Sequence, residues 1–444
     1  METNRTHKAA HAASCRLSWA QLSRALLLAA TAFAAVRAAA EPLRVCLIAG
    51  AGPASAETRR VVAGLGWFLE GAGPARCSAQ VVMGGAGSSD VSGALEVSDV
   101  AVIWVNGGPL GEPGRSAFGR FLEKGGGLVV VGCAGRTWAD WPEFEQQVLG
   151  ARFGDAFEGG APMRVINLYP HAVFTGVERL ETPQAMLACD LAPDAQVIME
   201  GTVGEETVPM GWLRRQGRAR IVCLQPGGAS LLGDAQYRGL VSNCVQWAGG
   251  RPVPRAPTLV QRASMADAFP GALAISFPGG PSLCFDTVRG GINYIWDGDF
   301  VDLRPWWTGH HGAPLRSFAA RISGAVLYRE RSMSPALHVG PGTGPSEFHF
   351  RGYRLGQDGF PELSYLVGGR AITEVVRPAA GGVGVECTFH ADSGPGPLWL
   401  TLGSDSNAEI AVSGAAMDGN RIRFDAVGAG TFAVTFRGRA GVAP

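Results

Sequence analysis

Lysine is almost absent from this sequence, and no long run of charge of either sign occurs. Lys8 and Lys124 are the only lysines, and 38 Lys and Arg residues balance 38 Asp and Glu residues. Nucleic acids and anionic membranes attract clustered basic surfaces. The balanced, dispersed charge therefore predicts no nucleic-acid partner and no polybasic membrane contact.

Paired cysteine motifs are also missing. No Cys-x-x-Cys and no Cys-x-x-Cys-His occurs. A zinc ribbon and a covalently attached haem thus have no support, and we predict no metal, no haem and no other cofactor. Histidine is scarce in the first half, where His171 is the only one between Glu41 and Gly250. Any histidine chemistry in that half consequently depends on His171.

The first 40 residues have the layout of a secretory signal. Basic residues that include Lys8, Arg16 and Arg24 precede an apolar run at 25–36, and three alanines at 38–40 stand before Glu41. The run is about a dozen residues, which is short for a hydrocarbon core of about 30 Å. We therefore predict a signal peptide over 1–40 and an exported protein, periplasmic or extracellular, with no membrane span after cleavage. Retention of the segment as an anchor stays open.

Cysteines in the mature chain are even in number. Cleavage would remove Cys15 and leave eight of the nine cysteines, which permits disulfides without showing them. Cys46, Cys223 and Cys244 lie inside apolar runs, where a free cysteine behaves as a small core residue. We expect these three to be buried thiols.

Strands and helices alternate in the first half of the chain. Continuous apolar runs at 43–48 and 100–105 are typical of strands buried on both faces of a sheet. Residues at helical spacing occupy the segments between strands, and Asp234 is a favourable N-cap for a closing helix. The pattern predicts an α/β domain over 41–248 with a doubly wound, flavodoxin-like parallel sheet covered by helices on both faces.

The pattern changes after a segment rich in proline and glycine. Residues 249–264 are predicted to be a linker stiffened by prolines. Beyond it, short β-like runs such as 273–277 and 383–389 are separated by Gly, Pro, Asp and Asn turns, and no helix is indicated after Ala320. We therefore predict an all-β sandwich domain over 265–444.

Several short stretches of the first half occur in a recognisable order. They are Gly-Gly-Gly-Leu-Val-Val-Val at 125–131, Val-Leu-Gly-Ala-Arg-Phe at 148–153, His-Ala-Val-Phe-Thr-Gly at 171–176, Val-Pro-Met-Gly-Trp at 208–212, Gly-Arg-Ala-Arg-Ile-Val at 217–222 and Trp247. In these stretches the first half resembles the trehalose-utilisation (ThuA-like) family, which has the class I glutamine amidotransferase-like fold. The resemblance implies a domain concerned with sugars or sugar-derived ketones, and not an ammonia-releasing glutaminase.

The family's polar positions are only partly present. His171 matches the family's histidine before a Thr-Gly step. Where the family has a histidine after its glycine-rich strand, this chain has Gly132-Cys133-Ala134, and 182–187 stands in place of an acidic pair followed by an aromatic residue. Gln225 lies where a further histidine is expected. The resemblance therefore implies a degenerate active site, and whether the protein is an enzyme stays open.

A second resemblance concerns the β-rich half. It is carried by Trp-Asp-Gly-Asp-Phe-Val-Asp at 296–302, Trp-Trp at 306–307 and Phe-Arg-Gly-Tyr-Arg-Leu at 350–355. In these stretches the chain is similar to β-rich domains of large secreted proteins of planctomycetes and verrucomicrobia. Some of those proteins carry c-type haem modules, and the motif for haem attachment is absent here.

Two residues are candidates for catalysis. Cys133 stands where a buried strand breaks into a glycine turn, a position that can expose a thiol beside backbone N–H groups. It is a candidate nucleophile, against the alternative of a small residue that fits a crowded turn. His171 is a candidate acid–base group, against the alternative of a hydrogen bond that closes its own loop.

Aromatic and charged side chains are candidates for ligand binding, because ring faces stack on sugar rings and carboxylates accept hydrogen bonds from hydroxyl groups. In the first half the candidates are Arg136 and Trp138, with ordinary packing the alternative for Trp138. The candidates of the second half are Trp296, Asp297, Asp299, Asp302, Trp306 and Trp307. The alternative there is an aromatic sandwich core with aspartates that form turns.

Three functions fit these observations. The first is an exported two-domain protein that recognises a carbohydrate or sugar-derived ligand with a degenerate active site. The second is an active enzyme on a sugar or ketosugar, of hydrolase or isomerase type, that uses His171 with or without Cys133. The third is a structural or interaction module of the cell envelope.

Overall fold

The fold is taken from a computed structural model of the chain. It describes residues 41–50, 56–72, 77–83, 89–105, 107–132, 137–156, 163–178, 180–182, 187–203, 206–303, 319–330, 336–340, 346–380, 383–403, 405–425 and 428–439. The predicted signal peptide over 1–40 lies outside this range. Four candidate site residues, Cys133, Arg136, Trp306 and Trp307, lie outside it as well.

The first half is an α/β structure. Its strands are β1 Leu43–Ala49, β2 Cys77–Met83, β3 Val100–Trp104, β4 Gly127–Val131, β5 Ala151–Ala156, β6 Met163–Leu168, β7 Glu181–Thr182, β8 Leu187–Leu191, β9 Gln196–Val203, β10 Glu206–Gln216 and β11 Ala219–Leu224. Its helices are α1 Ala56–Trp67, α2 Ser89–Val97, α3 Gly111–Glu123, α4 Ala229–Gly233 and α5 Ala235–Ala248, with π-helical segments at Phe68–Ala72 and Glu145–Leu149. Nine strands form one sheet in the order β2-β1-β3-β4-β11-β10-β9-β6-β7, and β5 pairs with β8.

The large sheet is parallel on one side only. Strands β2, β1, β3, β4 and β11 run parallel, whereas β10, β9 and β6 each run antiparallel to the preceding strand in the sheet. The predicted doubly wound fold is confirmed, with an antiparallel extension that the sequence analysis did not predict. Only Gly217 and Arg218 connect β10 to β11, and so short a connection can join only antiparallel strands.

Side chains of β1 alternate between two cores. Val45 and Leu47 pack with residues of α1 and α5, and Cys46 and Ile48 pack with residues of α2 and α3. Successive strand residues point to opposite faces, so helices on both faces bury every residue of the strand except Arg44. This explains the continuous apolar run and confirms the predicted helical cover on both faces.

The cysteines in apolar runs are core residues. Cys46, Cys223 and Cys244 are buried, as predicted, and Cys46 and Cys244 are free thiols. Burial raises the pKa of the Cys46 thiol to about 11 and raises the pKa of Cys244 as well. Cys46 and Cys244 are therefore protonated at neutral pH and behave as small apolar groups.

Helix α5 begins where the sequence predicts it. Asp234 is the N-cap, and its Oδ1 accepts a hydrogen bond from the backbone N–H of Tyr237 at 2.9 Å.

Asp234→Ala is expected to lower the free energy of unfolding by about 1 kcal/mol, because this N–H loses its partner. Urea unfolding measures the loss. Asp234→Ser, which can still cap the helix, is the control, and an equal loss in both variants would contradict the capping role.

The second half is built of strands alone in its described residues. They are β12 Leu259–Ala263, β13 Ala272–Ser276, β14 Ser282–Phe285, β15 Ile292–Asp297, β16 Ala325–Arg329, β17 Leu337–Val339, β18 Phe348–Leu355, β19 Pro361–Val367, β20 Arg370–Pro378, β21 Gly384–Ala391, β22 Leu398–Thr401, β23 Asp405–Ser406, β24 Ala408–Ser413, β25 Ala416–Asp418, β26 Arg421–Phe424 and β27 Gly430–Gly438. The sheets have the orders β12-β13-β14-β15-β16-β23, β18-β19-β20-β21-β27-β24 and β17-β22-β26-β25.

Strand β12 falls inside the segment predicted as a linker, 249–264, and pairs with β13. No described helix of the chain is long and apolar enough to cross a membrane.

Strands β13 to β15 are buried on both faces. Ile275 and Leu283 belong to the core shared with the other β-sheets. Ala274 and Trp296 point the opposite way, into a core that includes Tyr169 of the α/β half. One sheet is thus covered by the sandwich on one side and by the α/β half on the other. This apolar contact between the halves fixes the position of the site described next.

Candidate functional site

His171 is held rigidly in the loop after β6. Its Nδ1 accepts a hydrogen bond from the backbone N–H of Val173 at 3.2 Å. The Nδ2 of Asn243, on α5, donates to the carbonyl oxygens of Val173 and Thr175, each at 2.9 Å. Only 6% of His171 is exposed. Because Nδ1 is an acceptor here, the neutral imidazole carries its proton on Nε2.

Asp299 of the β-rich half meets His171 directly. The His171 Nε2 lies 3.9 Å from the Asp299 Oδ1, too long for a direct hydrogen bond. The same Oδ1 accepts a hydrogen bond of 2.6 Å from the Trp247 Nε1, and Oδ2 accepts one of 3.2 Å from the Arg215 guanidinium. Its backbone oxygen accepts from the Trp296 Nε1 at 2.9 Å. One carboxylate therefore accepts hydrogen bonds from two side chains of the α/β half and lies beside a third, His171.

The surroundings of Asp299 favour its charged form. Burial by itself raises the pKa of this carboxyl group, but His171, Arg215 and the hydrogen bond from Trp247 outweigh burial and hold the pKa well below its usual range. Asp299 is consequently an anion throughout the neutral range. Its carboxylate oxygens therefore accept hydrogen bonds from the neighbouring donors throughout this pH range.

Two arginines lie side by side on the neighbouring strands. Arg215 of β10 and Arg220 of β11 are directly opposite partners in the antiparallel register. Arg220 donates to the Trp247 carbonyl oxygen at 3.2 Å, and its guanidinium lies 5.6 Å from the centre of the Trp247 ring. Burial and the charge of Arg215 lower the pKa of Arg220, and Asp299 opposes them. The Arg215 Nε is enclosed and has no hydrogen-bond partner among the described residues.

An open cavity of about 70 Å³ separates the two halves at this point. Its size is enough for several water-sized groups. Polar and aromatic lining residues are His171, Arg215, Arg220, Trp247, Arg251, Ser276, Phe277, Asp297, Asp299 and Phe300. The cavity is thus a cleft between domains with a charged wall, a usual location for a small-molecule site.

His171 follows β6 at the edge of the sheet where the parallel strands begin. Strand β6 runs against β9, β9 against β10 and β10 against β11, which is parallel to β4. β6 therefore ends at the edge where β4 begins. The far end of β4 is about 17 Å away across a five-residue strand. The candidate nucleophile Cys133 lies outside the described residues, so its distance from His171 stays a prediction.

The structure separates the other predicted site residues into three groups. Asp297 and Asp299 line the cleft. Asp302 is placed by backbone hydrogen bonds to Arg321 and is not among the lining residues. Trp138 and Trp296 are enclosed, with 2% and 0% of their surface exposed. Their ring faces contact the core, which corrects the expectation that they stack on a ligand.

Gln225 occupies the place where the family resemblance predicts a histidine. Its Nε2 donates to the carbonyl oxygens of Leu187 and Pro209 at 3.1 and 2.7 Å, and its Oε1 accepts from the N–H of Leu187 at 3.0 Å. Gln225 therefore joins β8 to the first part of β10. Its amide is fully engaged in holding the fold, which agrees with a degenerate site.

Sequence reasoning missed three residues of the cleft as site residues. They are Arg215, Arg220 and Trp247. The sequence did contain a signal for the two arginines. Gly217 and Arg218 form a two-residue hairpin loop, and residues at the same sequence distance before and after such a loop lie opposite each other. No local pattern indicated that Trp247 points its Nε1 at a carboxylate of the other domain.

The order of the strands, their directions and the helical cover define the first half as a flavodoxin-like α/β domain. Residues 89–248 match the family described as ThuA, trehalose utilisation. Residues 89–248 are therefore ThuA-like, as the stretches in this part of the sequence predicted. The match includes His171, Arg215, Arg220 and Trp247. A search of curated proteins finds no match to the chain.

Solved structures provide distant likenesses. A ThuA-like protein of Parabacteroides merdae is 18% identical over 49% of this chain and 94% of its own, with a TM-score of 0.38. A ThuA-like protein of Bacteroides uniformis is 18% identical over 47% of this chain and 93% of its own, with a TM-score of 0.36. A β-galactosidase of Bacillus circulans sp. alkalophilus is 12% identical over 89% of this chain and 41% of its own, with a TM-score of 0.33.

Proposed function

We propose that this protein binds a sugar-derived small molecule in the cleft between its two halves, and that the cleft serves recognition rather than catalysis. A sugar hydroxyl both donates and accepts hydrogen bonds. The cleft offers both kinds of partner: guanidinium donors from Arg215 and Arg220, and the carboxylate of Asp297, which has no hydrogen-bond partner among the described residues. This combination at one cavity is the observation that carries the proposal.

The state of His171 supports recognition over catalysis. Its Nδ1 accepts the Val173 N–H, so the neutral ring has no lone pair free to take a proton from a substrate. Gln225 is engaged in the fold through its amide. His171 is thus suited to donate from Nε2 towards Asp299 or a ligand.

One observation favours an enzyme as the second candidate. A buried histidine 3.9 Å from a carboxylate is a pair that many hydrolases use to orient an imidazole. In that case the protein would act on a sugar or ketosugar at this cleft. His171 would then have to release the Val173 N–H to act as a base.

NMR saturation transfer tests the proposal. It measures whether glucose, trehalose and glucuronate bind to the full chain. Saturable binding is expected, and Asp297→Ala should weaken it tenfold or more, because a charged acceptor of a ligand hydroxyl is lost. Asp418→Ala, which removes an exposed carboxylate of β25, is the matched control. Absence of binding by the whole panel would refute the proposal.

The same samples distinguish the enzyme from the binding protein. Spectra of each sugar are recorded after prolonged incubation with the chain. Unchanged sugars are expected, since the Val173 N–H occupies the Nδ1 of His171. Product formation that disappears in His171→Ala would support the enzyme instead.

We further propose that the protein is exported, on the layout of residues 1–40 alone. N-terminal sequencing of the mature protein from its native host tests this. A sequence that begins at Glu41 is expected, and an intact N-terminus in a cytoplasmic fraction would refute export.

A further inference from the structure

Another cavity lies inside the β-sandwich, and it shares no lining residue with the cleft. Its volume is about 20 Å³, which is enough for one water molecule. Glu374 of β20 and Cys387 of β21 line it from the six-stranded sheet, and Leu337 of β17 and Leu400 of β22 line it from the four-stranded sheet. The carboxyl group of Glu374 is therefore enclosed between these two sheets.

The described partners of Glu374 are neutral. Its Oε2 accepts a hydrogen bond from the Tyr365 hydroxyl at 2.8 Å, and the Cys387 thiol donates to the same carboxyl group. Among the described residues, no basic side chain lines the cavity. An ionised carboxylate at this place has no counter-charge, and burial of an unpaired charge is costly. The protonated form of Glu374 is thus favoured while the cavity stays closed.

The other titratable groups that face Glu374 stay protonated near neutral pH. They are the hydroxyls of Tyr365 on β19 and Tyr328 on β16 and the thiol of Cys387 on β21. Burial raises the pKa of each of the three. The Tyr328 hydroxyl donates in turn to the Glu330 Oε2 at 3.2 Å. Glu374 is consequently the group lining the cavity whose charge changes between pH 5 and pH 7.5.

Charged groups on the opposite faces of the same strands do not reach the cavity. His338 of β17 stacks on Trp399, and its Nε2 lies 3.2 Å from an Arg421 nitrogen. Burial and the charge of Arg421 lower the pKa of His338. Glu386 of β21 precedes Cys387 and therefore points to the other face of its sheet. These groups remain when Glu374 is replaced, so a Glu374 variant separates their contribution from that of Glu374.

The four-stranded sheet is the weaker cover of the cavity. Its strands β17, β22, β25 and β26 have three or four residues each, whereas β19, β20, β21 and β27 have seven to nine. Local opening of a native protein occurs where few backbone hydrogen bonds and few apolar contacts have to be broken. Displacement of the four-stranded sheet is therefore the least costly way for water to reach Glu374.

We propose that ionisation of Glu374 opens the four-stranded sheet locally, so that water enters the cavity and solvates the carboxylate while the six-stranded sheet stays folded. The protein then contains a pH-sensitive element outside the cleft, which does not depend on the proposed sugar-binding function. Opening becomes easier as pH rises from about 4.5, the ordinary pKa of the carboxyl group, to about 7, its pKa in the closed cavity. In this range the open form releases the proton and the closed form retains it.

Amide hydrogen exchange of the full chain at pH 5 and pH 7.5 tests the inference. The reporters are the N–H groups of Thr401 and Leu402, which donate to the carbonyl oxygens of Ala336 and Asn420, each at 2.8 Å. Their protection factors, which correct for the intrinsic pH dependence of exchange, are expected to fall tenfold or more between the two pH values. The amides of β21, which is paired on both sides, should change less than threefold.

Variants assign the opening to Glu374. In Glu374→Gln, which cannot ionise, the protection of the reporters is expected to change less than threefold. Glu374→Met, an apolar side chain of similar length, should behave in the same way and covers the case that Glu374→Gln does not fold. Glu386→Gln, on the opposite face of the same sheet, is the matched control and should retain the tenfold fall.

Three results would overturn the inference. The first is constant protection of the reporters in the unaltered protein. The second is a fall of the same size in both Glu374 variants, since the opening would then have another cause. The third is an equal fall in the amides of β21, which would show that the whole sandwich opens and not the four-stranded sheet alone.

Discussion

Asp299→Ala is expected to lower the free energy of unfolding by about 3 kcal/mol, the largest effect of any single change in the cleft. The carboxylate accepts from Trp247 and Arg215 and lies next to His171. Its removal leaves a partly buried guanidinium and an indole N–H without their acceptor. Urea unfolding monitored by tryptophan fluorescence measures the loss, since Trp247 is itself a probe of the contact.

Charge and hydrogen bonding at Asp299 can be measured separately. Asp299→Asn keeps an acceptor for the Trp247 Nε1 but loses the charge, so an intermediate loss is expected. Asp297→Asn is the matched control in the same cleft, because Asp297 has no hydrogen-bond partner among the described residues. If Asp297→Asn costs as much as Asp299→Ala, the connection through Asp299 is not the source of the stability.

The contribution of Asp299 should disappear in acid. Its folded pKa lies well below the usual range, so the stability is fully present above the pKa of an unfolded Asp, about 4, and is lost as pH falls towards the folded pKa. The difference between the protein and Asp299→Ala is therefore expected to be constant at pH 5 to 8 and to shrink below about pH 4. A difference that grows on acidification would contradict the depressed pKa.

Glu374→Gln is expected to make the protein more stable at pH 8 by about 3 kcal/mol. Glu374 is 1% exposed within the β-sandwich, and its Oε2 accepts a hydrogen bond from the Tyr365 hydroxyl at 2.8 Å. Burial raises the pKa of Glu374 from 4.5 to about 7, against the hydrogen bonds from Tyr365 and Cys387. At about 1.4 kcal/mol per pH unit, this rise corresponds to about 3 kcal/mol.

The sign of the effect follows from the direction of the shift. A carboxyl group whose pKa is raised on folding favours the folded state while it is protonated, below about pH 4.5, and this advantage is lost as pH rises through the folded pKa of about 7. The protein should therefore lose stability between these values, and Glu374→Gln should lose much less. Glu409→Gln, an exposed change on β24, is the control. Parallel pH profiles for the protein and Glu374→Gln would contradict a raised pKa.

Most of the α/β fold was predictable because its signals are local. The apolar runs that became β1 and β3 are contained within a few residues, and the Asp234 cap requires only Tyr237 three residues later. The buried thiols of Cys46, Cys223 and Cys244 follow from the same runs. A strand that is buried on both faces has a continuous apolar sequence, whichever elements cover its two faces.

Strand direction was not predictable in the same way. An extended run such as 163–168 carries no mark of whether its strand runs parallel or antiparallel to its neighbour. The sequence analysis predicted a parallel sheet and did not predict that β10, β9 and β6 run antiparallel. The hairpin loop at Gly217 and Arg218 was the available sign of an antiparallel extension, because such a short loop cannot connect parallel strands.

The sequence by itself determined which residue types were available to the site and selected His171, Asp297 and Asp299 as candidates, because scarce or clustered polar residues stand out in a chain. Only the tertiary structure decided that His171 and Asp299 meet, that Arg215 and Arg220 lie beside them, and that Trp296 belongs to the core. Each of these facts depends on strand direction and on the packing of β13 to β15 against the α/β half. Contacts between residues so far apart in the chain arise from the whole fold, and no local pattern encodes them.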